Sequence, residues 1–568
     1  MKKFLSFLLM ASLSMLVFAQ SNSKKPTGFI RGTVTTDTNN PAQRVKVTAT
    51  RIGDISHTQY SAITTDEGTF RINLPVGSYK VTATSPGYIE NISPSEKKYY
   101  RTGDSVDIRL SKGGVITGTV TNRSGEAVVG IVVFAKRIRT SDGELIKGQD
   151  DNTLRKATDD RGIYRIYGLQ PGSYIVSVSD ETAHIFIPSV YKKMVPTYYP
   201  STSAAGAKEV SVKAGDETSN IDIRLRETLG YSIRGKIVVN ESLSNKNSFY
   251  FIVTAKDTKT NTFLPSSVSI NNDFVVFGVE DGEYEIQAFK YGQDDQQERS
   301  EPKIIKVRGA DVKDVQLKIE LPSKVTGRAV IELPVEAISE ECKARKERLT
   351  YTEELVVQLR PDRPAQKNSQ KDKKTLEVLP NTNGDFLFRH IDPGLYRLDT
   401  VLPSDNLYIS SITRPTEKIR PDEISRSGIK LKAGETASEI LIKVVTGAAA
   451  VNGKVVSANN HPLKQQAFRV YLVPVEAERV DNPLFYYNVE TVEDYAFTFK
   501  NLAPGKYRTV VRESTPENRR SEAFDIETRK KLQQYADKEE IELKKCQTIE
   551  RILKFPTTPV GKTGRKKK

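Results

Sequence analysis

Histidine is the residue type whose spacing most often reveals a metal or catalytic site, and this chain has four: His57, His184, His390 and His461. None belongs to an HxxE or HExxH pattern, whereas catalytic zinc needs three protein ligands and a water. No GxSxG turn is present to suggest a serine hydrolase. The sequence therefore predicts a protein that is not an enzyme, with no catalytic residues, no metal ligands and no cofactor.

Two acidic stretches and one basic stretch imitate ligand sites. Residues 66–68 (Asp-Glu-Gly) and 159–162 (Asp-Asp-Arg-Gly) supply too few oxygen atoms for the six to eight that Ca²⁺ takes, and aspartate and glycine are ordinary turn residues. The Gly-Lys-Thr of residues 561–563 lacks the earlier glycine of a phosphate loop, because Pro556 stands there. We therefore interpret all three as structural or tail segments.

Adjacent tyrosines and turn lysines are the candidates for ligand contact. In an alternating strand one member of each Tyr-Tyr pair is expected to face outward, where it could stack on a sugar or a peptide. The alternative interpretation is packing in the core and at sheet edges, since aromatic residues are common in strands. The candidate ligand residues are Tyr100, Tyr199, Tyr487, Lys213, Lys432 and Lys544.

Cysteine is rare in this chain, and only Cys342 and Cys546 occur. They could form a disulfide in an oxidising compartment or remain as free thiols, because sequence alone does not place their Cα atoms within bonding reach. Cys546 stands in a turn where related segments have glycine, which favours an exposed thiol.

The element that carries the acidic stretch 159–162 repeats along the chain. An aromatic residue starts a strand, a turn follows, and a tyrosine comes ten residues after the aromatic residue in four copies. In the first copy the spacing is nine, which we interpret as one residue lost from the turn. Alternation with period two predicts a hairpin. The second copy supplies its signature residues: Asp160, Gly162, Tyr164, Pro171, Gly172 and Tyr174.

Two further elements repeat around this hairpin. Each unit opens with a strand that contains a glycine, as in "GFIRGTV" (28–34), which indicates a bulge or a close approach of another backbone. Four units close with a second hairpin, as in "VSVKAGDETSNIDIRL" (210–225), whose turn glycine is replaced by Cys546 in the last unit. Each unit thus has about seven short strands, the pattern of a β-sandwich.

These repeats resemble the carboxypeptidase regulatory-like domain, which is related to the Cna-B and transthyretin-like β-sandwiches. The second unit carries the closest match, through residues such as Gly118, Thr158, Gly162, Tyr164 and Tyr174. The resemblance implies an exported bacterial chain of tandem modules, without the catalytic domain of the zinc peptidases that give the domain its name. It identifies a fold and says little about activity.

The predicted fold class is all-β, with five tandem antiparallel β-sandwich modules of prealbumin-like or Cna-B-like type and one short helix at Thr528–Ala536. The predicted domains are a signal peptide (1–19), a linker (20–27), sandwiches at 28–111, 112–227, 228–322, 323–446 and 447–556, and a basic disordered tail (557–568).

The N-terminal stretch "MKKFLSFLLMASLSMLVFAQ" reads as a secretory signal, and no later stretch approaches the ~20 apolar residues of a membrane helix. We therefore expect a mature chain without a transmembrane segment, located in the periplasm, at the cell surface or outside the cell. Export makes nucleic acid an unsuitable partner, and the net charge of +15 predicts weak attraction to anionic surfaces.

The favoured function is a spacer or interaction scaffold at the cell envelope, with modules packed end to end and an envelope protein or glycan as partner. One alternative is a carbohydrate-binding protein that uses the tyrosines and lysines named above. A second alternative is an accessory subunit of a separately encoded peptidase.

Overall fold

The structure is a computed structural model, and nearly all of its regular elements are strands. The predicted signal peptide and basic tail lie outside the described residues, as do His57, His184 and His461. The structure describes residues 27–555 apart from 54–57, 92–98, 147–152, 180–192, 240–249, 261–262, 265, 292–297, 321–322, 333–341, 343–347, 363–374, 416–422, 459–462, 464–466 and 516–525.

Module 1 is a sandwich of two four-stranded sheets with the strand orders β4-β1-β8-β6 and β3-β2-β5-β7. Alternating side chains such as Ile30, Val34 and Ile72 meet between the sheets and form its core. Its strands are β1 (Thr27–Thr36), β2 (Lys46–Arg51), β3 (Gln59–Ile63), β4 (Thr69–Pro75), β5 (Ser78–Thr84), β6 (Tyr88–Glu90), β7 (Tyr100–Arg101) and β8 (Ser105–Lys112).

Module 2 repeats this plan with shorter closing strands. One sheet has the order β12-β9-β16 with β17 also paired to β9, and the other has the order β11-β10-β13-β14 with β15 also paired to β13. Its strands are β9 (Gly114–Thr121), β10 (Val132–Arg139), β11 (Thr153–Ala157), β12 (Ile163–Leu169), β13 (Gly172–Ser179), β14 (Thr197–Tyr198), β15 (Val210–Val212), β16 (Glu217–Thr218) and β17 (Ile223–Arg224).

Module 3 differs because β24 pairs with both β23 and β26 and so joins the two layers into one nine-stranded sheet. Its strands are β18 (Tyr231–Val238), β19 (Tyr250–Asp257), β20 (Phe263–Leu264), β21 (Ser266–Val268), β22 (Asp273–Val279), β23 (Gly282–Tyr291), β24 (Glu298–Ser300), β25 (Lys303–Val307) and β26 (Val312–Glu320).

Module 4 returns to two four-stranded sheets, with the orders β30-β27-β34-β32 and β29-β28-β31-β33. It also contains a 3₁₀ turn at Thr352–Glu354 and a short helix, α1 (Ile424–Ser427). Its strands are β27 (Ser323–Glu332), β28 (Val356–Pro361), β29 (Leu376–Val378), β30 (Asp385–Ile391), β31 (Gly394–Val401), β32 (Leu407–Thr413), β33 (Ile429–Leu431) and β34 (Thr436–Thr446).

Module 5 has sheets in the orders β38-β35-β41 and β37-β36-β39-β40. Helix α2 (Ile526–Tyr535) covers the outer face of the second sheet, where Leu532 packs against Tyr471 and Val510. It begins two residues and ends one residue before the predicted helix. The strands are β35 (Ala449–Ser457), β36 (Phe468–Pro474), β37 (Tyr487–Glu490), β38 (Ala496–Leu502), β39 (Gly505–Glu513), β40 (Glu540–Leu543) and β41 (Thr548–Phe555).

All five modules share one connection pattern, and the predicted all-β sandwich class is confirmed. The opening strand pairs antiparallel with the strand that carries the signature aromatic residue, and parallel with the strand that closes the module. Each module therefore contains a parallel pair within its otherwise antiparallel sheets. Each also has its own buried core, while the exact domain limits given above stay a prediction.

No helix among the described residues is long and apolar enough to cross a membrane.

Candidate functional site

The glycine of each opening strand is required by a close approach of two neighbouring strands. It lies directly opposite the signature aromatic residue and beside the carbonyl oxygen of the closing strand. An added Cβ would collide with that oxygen in every module, so the predicted close backbone approach is confirmed. The glycine and aromatic pairs are Gly32 with Phe70, Gly118 with Tyr164, Gly235 with Phe274, Gly327 with Phe386 and Gly453 with Phe497.

The tyrosine after each hairpin turn closes the turn with its hydroxyl group. Its ring is buried in the module core, and its hydroxyl donates to the carbonyl oxygen of the residue four positions earlier, at 2.7 to 3.0 Å. One side chain thus fills the core and also supplies a hydrogen-bond donor to a turn carbonyl oxygen that would otherwise lack a partner. The five bonds are Tyr79 to Pro75, Tyr174 to Gln170, Tyr284 to Glu280, Tyr396 to Asp392 and Tyr507 to Ala503.

These tyrosines predict a loss of stability in alkali. Burial raises the pKa of Tyr174 and of Tyr396 to about 12, against about 10 in an unfolded chain. The folded state therefore prefers the neutral phenol, and the stability this gives is complete below about pH 10 and is lost as the pH rises towards 12. We expect the free energy of unfolding to fall over this interval, measured by denaturant titrations at successive pH values.

Lysines titrate in the same range, so a control is needed. The double variant Tyr174→Phe and Tyr396→Phe is expected to have a shallower decline with pH than the wild type. Equal slopes for the two proteins would show that these phenols do not contribute.

The acidic turn before the signature aromatic residue is organised by Asp159 rather than by Asp160. The Asp159 carboxylate accepts from the backbone N–H groups of Arg161 (3.0 Å) and Ile163 (2.8 Å), while Asp160 is exposed. Gly162 has a φ of +74° in this turn, as its role requires. The predicted turn geometry is present, but the signature acid lies one residue earlier than predicted.

The Pro-Gly turn needs its glycine, because Gly172 has a φ of +149° and an added Cβ would collide with the carbonyl of Arg139. Gly394 and Gly505 have similar φ values of +156° and +152°. Gly282 of the Asp-Gly turn does not adopt positive φ, so that turn is built differently from the Pro-Gly turns.

The one-residue difference between the first copy and the other four is a β-bulge in the strand and not a shortened turn. In modules 2 to 5 the register slips by one residue between the signature strand and the opening strand, whereas β1 and β4 pair without interruption. The interpretation of a residue lost from the turn is therefore wrong. The bulge residues all have φ between +56° and +75°, and they are Gly168, Gly278, His390 and Asn501.

Each bulge of modules 2 to 5 faces the preceding module. An added Cβ on Gly168 would lie 3.9 Å from the Tyr88 carbonyl of module 1, and one on Gly278 would collide with the Met194 carbonyl of module 2. The His390 carbonyl accepts from Arg299 of module 3 at 3.0 Å. The extra residue of modules 2 to 5 thus lies at the junction with the module before.

The junction between modules 4 and 5 has the most developed bulge contact. The Asn501 amide nitrogen donates to the carbonyl oxygens of Ser404 and Leu407, both at 2.7 Å. Beside it, Lys500 and Asp405 form an ion pair at 2.8 Å. Because two main-chain carbonyls of module 4 depend on one side chain of module 5, Asn501 joins the two modules.

Replacing Asn501 by glycine is expected to loosen this junction. Glycine accepts the φ of +59° without strain, so the change removes only the amide and leaves two carbonyls without their donor. We expect a loss of about 1–3 kcal/mol in the free energy of unfolding, measured by denaturant titration. Lys500→Ala, which removes only the exposed ion pair, is the control and should cost less than 1 kcal/mol. Equal losses for the two variants would contradict the role of Asn501.

The three tyrosines proposed as ligand contacts do not stand free on the surface. Tyr100 and Tyr199 pack partly buried against the cores of modules 1 and 2. Tyr487 packs against the core of module 5, and its hydroxyl accepts from the backbone N–H of Ala503 at 3.1 Å. The choice of these three as the outward-facing members is wrong, because they pack on the core side, whereas their neighbours Tyr99, Tyr198 and Tyr486 lie outside these core clusters and are still at most 7% exposed. Their role in ligand binding stays a prediction, but it is no longer supported by outward exposure of the rings.

The three candidate lysines are exposed, and each occupies the same turn in a different module. Lys213 lies in module 2, Lys432 in module 4 and Lys544 in module 5. Their backbones hold the turn: the N–H of Lys432 donates to Glu435 at 2.7 Å, and that of Lys544 donates to Gln547 at 2.9 Å. The structure therefore explains their position by turn formation, and a ligand role stays a prediction.

Cys342 and Cys546 form a disulfide, with 5.2 Å between their Cα atoms. Cys546 is only 4% exposed and has a φ of +60°, so the expectation of an exposed thiol is wrong. It does share the left-handed conformation of Gly215, Gly309 and Gly434 in the sister turns. The turn is buried because it lies at the junction of modules 4 and 5, where the N–H of Cys546 donates to the Gly447 carbonyl at 3.0 Å.

Among the described residues, no group of three or more histidine, cysteine, aspartate or glutamate side chains could hold a metal ion. His390 is the single histidine in this part of the chain, and its backbone forms the bulge of module 4.

Sequence reasoning missed the contacts between modules. The signal for the bulge was present in the spacing of ten against nine residues, but it was assigned to the wrong place. A second feature without a sequence signal is the pair Tyr250 and Tyr291. These residues are distant in sequence, and their rings stack across two strands with centroids 5.3 Å apart. Tyr250 is 61% exposed.

Comparison with known proteins supports the resemblance stated above. Residues 29–110 match the family model of the carboxypeptidase regulatory-like domain, and these residues are module 1 rather than module 2, whose motif had seemed closer. A search of curated proteins finds no match.

Solved structures give distant similarities. The Bacillus anthracis TIE protein has 11% identity and a TM-score of 0.14, over 90% of this chain and 68% of its own. A streptococcal ancillary pilin has 12% identity and a TM-score of 0.16, over 50% of this chain and 90% of its own. The shaft pilin SpaA from Lactobacillus rhamnosus GG has 13% identity and a TM-score of 0.17, over 36% of this chain and 100% of its own. The resemblance to the carboxypeptidase regulatory-like domain is thus confirmed for the first module, and the chain is similar to proteins that carry this domain.

Proposed function

We propose that this chain is an exported, non-enzymatic scaffold of the cell envelope, which holds its modules in a fixed arrangement for contact with an envelope protein or glycan. The observation that carries the proposal is the use of the repeated residues. The opening glycine, the signature aromatic residue and the turn tyrosine build each module, and the bulge residue joins it to the module before. The most specialised positions of the chain therefore serve assembly.

Two observations favour export. The first is the leader-like stretch at residues 1–19. The second is the disulfide, because such bonds persist in oxidising compartments and are rare in the cytosol. The two observations are independent, since one depends on the N-terminal sequence and the other on the geometry near the C-terminus.

Cell fractionation combined with a pull-down from the native envelope tests the proposal. We expect the chain outside the cytosol, with Cys342 and Cys546 resistant to alkylation before reduction, and with a specific envelope partner retained. Recovery from the cytosol with both thiols alkylated would overturn the assignment to the envelope. Turnover of a substrate by the purified chain would overturn the non-enzymatic role.

Carbohydrate binding is the second candidate, and the exposed stack of Tyr250 on Tyr291 is the observation that favours it. Aromatic faces are common platforms for ligands with an apolar side. A glycan array should show binding that Tyr250→Ala abolishes and that Tyr199→Ala, a core-packed tyrosine, leaves intact while the protein stays folded. An array without hits would remove this candidate. The role of a peptidase subunit stays a prediction.

A further inference from the structure

We propose that module 1 is latched onto module 4, that this latch closes modules 1 to 4 into a ring, and that its opening is a change of shape built into the scaffold. The latch consists of Ser78, Tyr99 and Arg101 of module 1 and of Glu354 and Glu377 of module 4. The two sides of the latch are more than 250 residues apart in sequence, yet they are in direct contact.

Glu354 is the centre of the latch, and its side chain is fully buried. Its carboxylate meets the guanidinium of Arg348 from its own module at 2.6 Å and that of Arg101 from module 1 at 3.7 Å. It also accepts from the backbone N–H of Tyr351 at 3.2 Å. A buried carboxylate is costly unless it is paired, and part of its pairing here comes from another module. Burial raises the pKa of Glu354, and both arginines act against this shift.

Two further hydrogen bonds cross the same contact. The Ser78 hydroxyl donates to the Glu354 carbonyl oxygen at 2.6 Å, and the Tyr99 hydroxyl donates to the Glu377 carboxylate. Ser78 and Tyr99 are both buried in the chain as a whole. Glu377 is held from the other side by the amide of Gln358 at 2.9 Å. The contact therefore has polar groups that are paired on both sides, as expected of a built interface.

The backbones also fit closely. A Cβ added to Gly53 of module 1 would lie 2.6 Å from the Cα of Val378, and one added to Gly77 would lie 3.6 Å from the Leu379 side chain. Gly77 belongs to the signature turn of module 1, the same turn that stands beside the bulge in later modules. In module 1 this end of the sandwich contacts module 4.

The ring follows from adding this latch to the junctions between successive modules. Module 1 meets module 2 where the N–H of Gly113 donates to the Gly87 carbonyl at 2.9 Å. Arg226 and Glu280 pair across the junction of modules 2 and 3 at 2.6 Å. Arg299 of module 3 pairs with Asp392 of module 4 at 2.7 Å. The latch closes the circuit, and module 5 is attached outside it through Asn501 and the disulfide.

This arrangement replaces the expected row of modules packed end to end. Consecutive modules are joined by short peptide segments, which keep the surfaces of each sequential junction close to one another. Among the described residues, the latch is the contact of the circuit that joins modules distant in sequence, and its members belong to none of the sequential junctions named above. It is therefore the place where the scaffold can change from a closed to an extended shape.

Small-angle scattering of the full chain tests the proposal with Arg101→Glu, which places a second acid beside Glu354. We expect its radius of gyration to rise by roughly 10% or more over the wild type, because module 1 is released from a compact body. Hydrogen exchange should accelerate at residues 350–355 and 376–379 of module 4. Arg165→Glu, which breaks an exposed pair with Glu217 within module 2, is the matched control and should change neither.

A second variant protects the test against misfolding of module 1. Glu377→Ala alters only the module 4 side and should change scattering and exchange in the same direction, to a smaller extent. The proposal fails if the wild type already scatters as an extended chain, or if neither latch variant alters scattering or exchange. It also fails if the wild type is a concentration-dependent dimer, since module 1 would then contact module 4 of another copy.

Discussion

Replacing Gly453 by alanine is expected to destabilise module 5 by about 3 kcal/mol. Gly453 faces the ring of Phe497 on one neighbouring strand and the carbonyl oxygen of Arg551 on the other, and an added Cβ would collide with both. The carbonyl belongs to the backbone of the parallel strand β41, so it cannot turn aside as a flexible side chain would. The methyl group must push apart two strands that define the sandwich.

Denaturant unfolding followed by tryptic digestion of the partly unfolded chain measures this effect. Cleavage in module 5 should begin at lower denaturant concentration in Gly453→Ala than in the wild type, while the other modules keep their wild-type resistance. Lys454→Ala is the control, because Lys454 is the next residue of the same strand and is exposed. A Gly453→Ala protein as stable as the Lys454→Ala protein would contradict the close approach.

The same reasoning predicts equivalent effects in the other four modules, and this is where the sequence was most informative. Local physics determines the glycine, the aromatic residue and the turn tyrosine, so each copy shows the same pattern. Repetition at five positions separates this pattern from chance. Alternation, turn residues and repeat spacing were therefore sufficient for the fold class and for the short helix at the C-terminus.

Contacts between modules could not be read in the same way. The ten-residue spacing indicates an extra residue in this strand, but it does not show that the Asn501 amide reaches two carbonyl oxygens of module 4. Glu354 looks like a surface acid in a polar segment, and its burial depends on Arg101, which lies more than 250 positions earlier. The contacts of these two side chains each occur at one junction only, so no repeat pattern identified them.

The prediction that one tyrosine of each pair is exposed to solvent was wrong for a related reason. Alternation predicts that neighbouring side chains face opposite sides of a sheet, but it does not say that the outer side is open to solvent. Tyr487 packs against the core of module 5, where its ring meets Tyr507 with centroids 5.9 Å apart, and its neighbour Tyr486 on the opposite side is covered by Leu532 of α2. A small sandwich has much edge relative to its core, so large aromatic residues at its edges remain in contact with the core.

Breaking the Cys342–Cys546 bond is expected to lower the free energy of unfolding by about 2–5 kcal/mol. The bond spans 204 residues, and the constraint that a cross-link places on the unfolded chain grows with the length of the loop it closes. It also ties module 5 to module 4 beside the Asn501 contact, so its loss leaves that junction to noncovalent contacts and the short peptide link between β34 and β35. The double variant Cys342→Ser with Cys546→Ser removes the bond and leaves no reactive thiol.

A second double variant separates the bond from the backbone conformation of the turn. Cys342→Ser with Cys546→Gly also lacks the bond, but it places glycine where φ is +60°, as in Gly215, Gly309 and Gly434. Because a left-handed conformation costs a non-glycine residue about 1–2 kcal/mol, this variant should be more stable than the serine pair and still less stable than the oxidised wild type. Denaturant titrations of the three proteins, with alkylation before and after reduction to count thiols, give the comparison. A wild type that keeps its stability after full reduction would show that the bond adds nothing to contacts the modules already make.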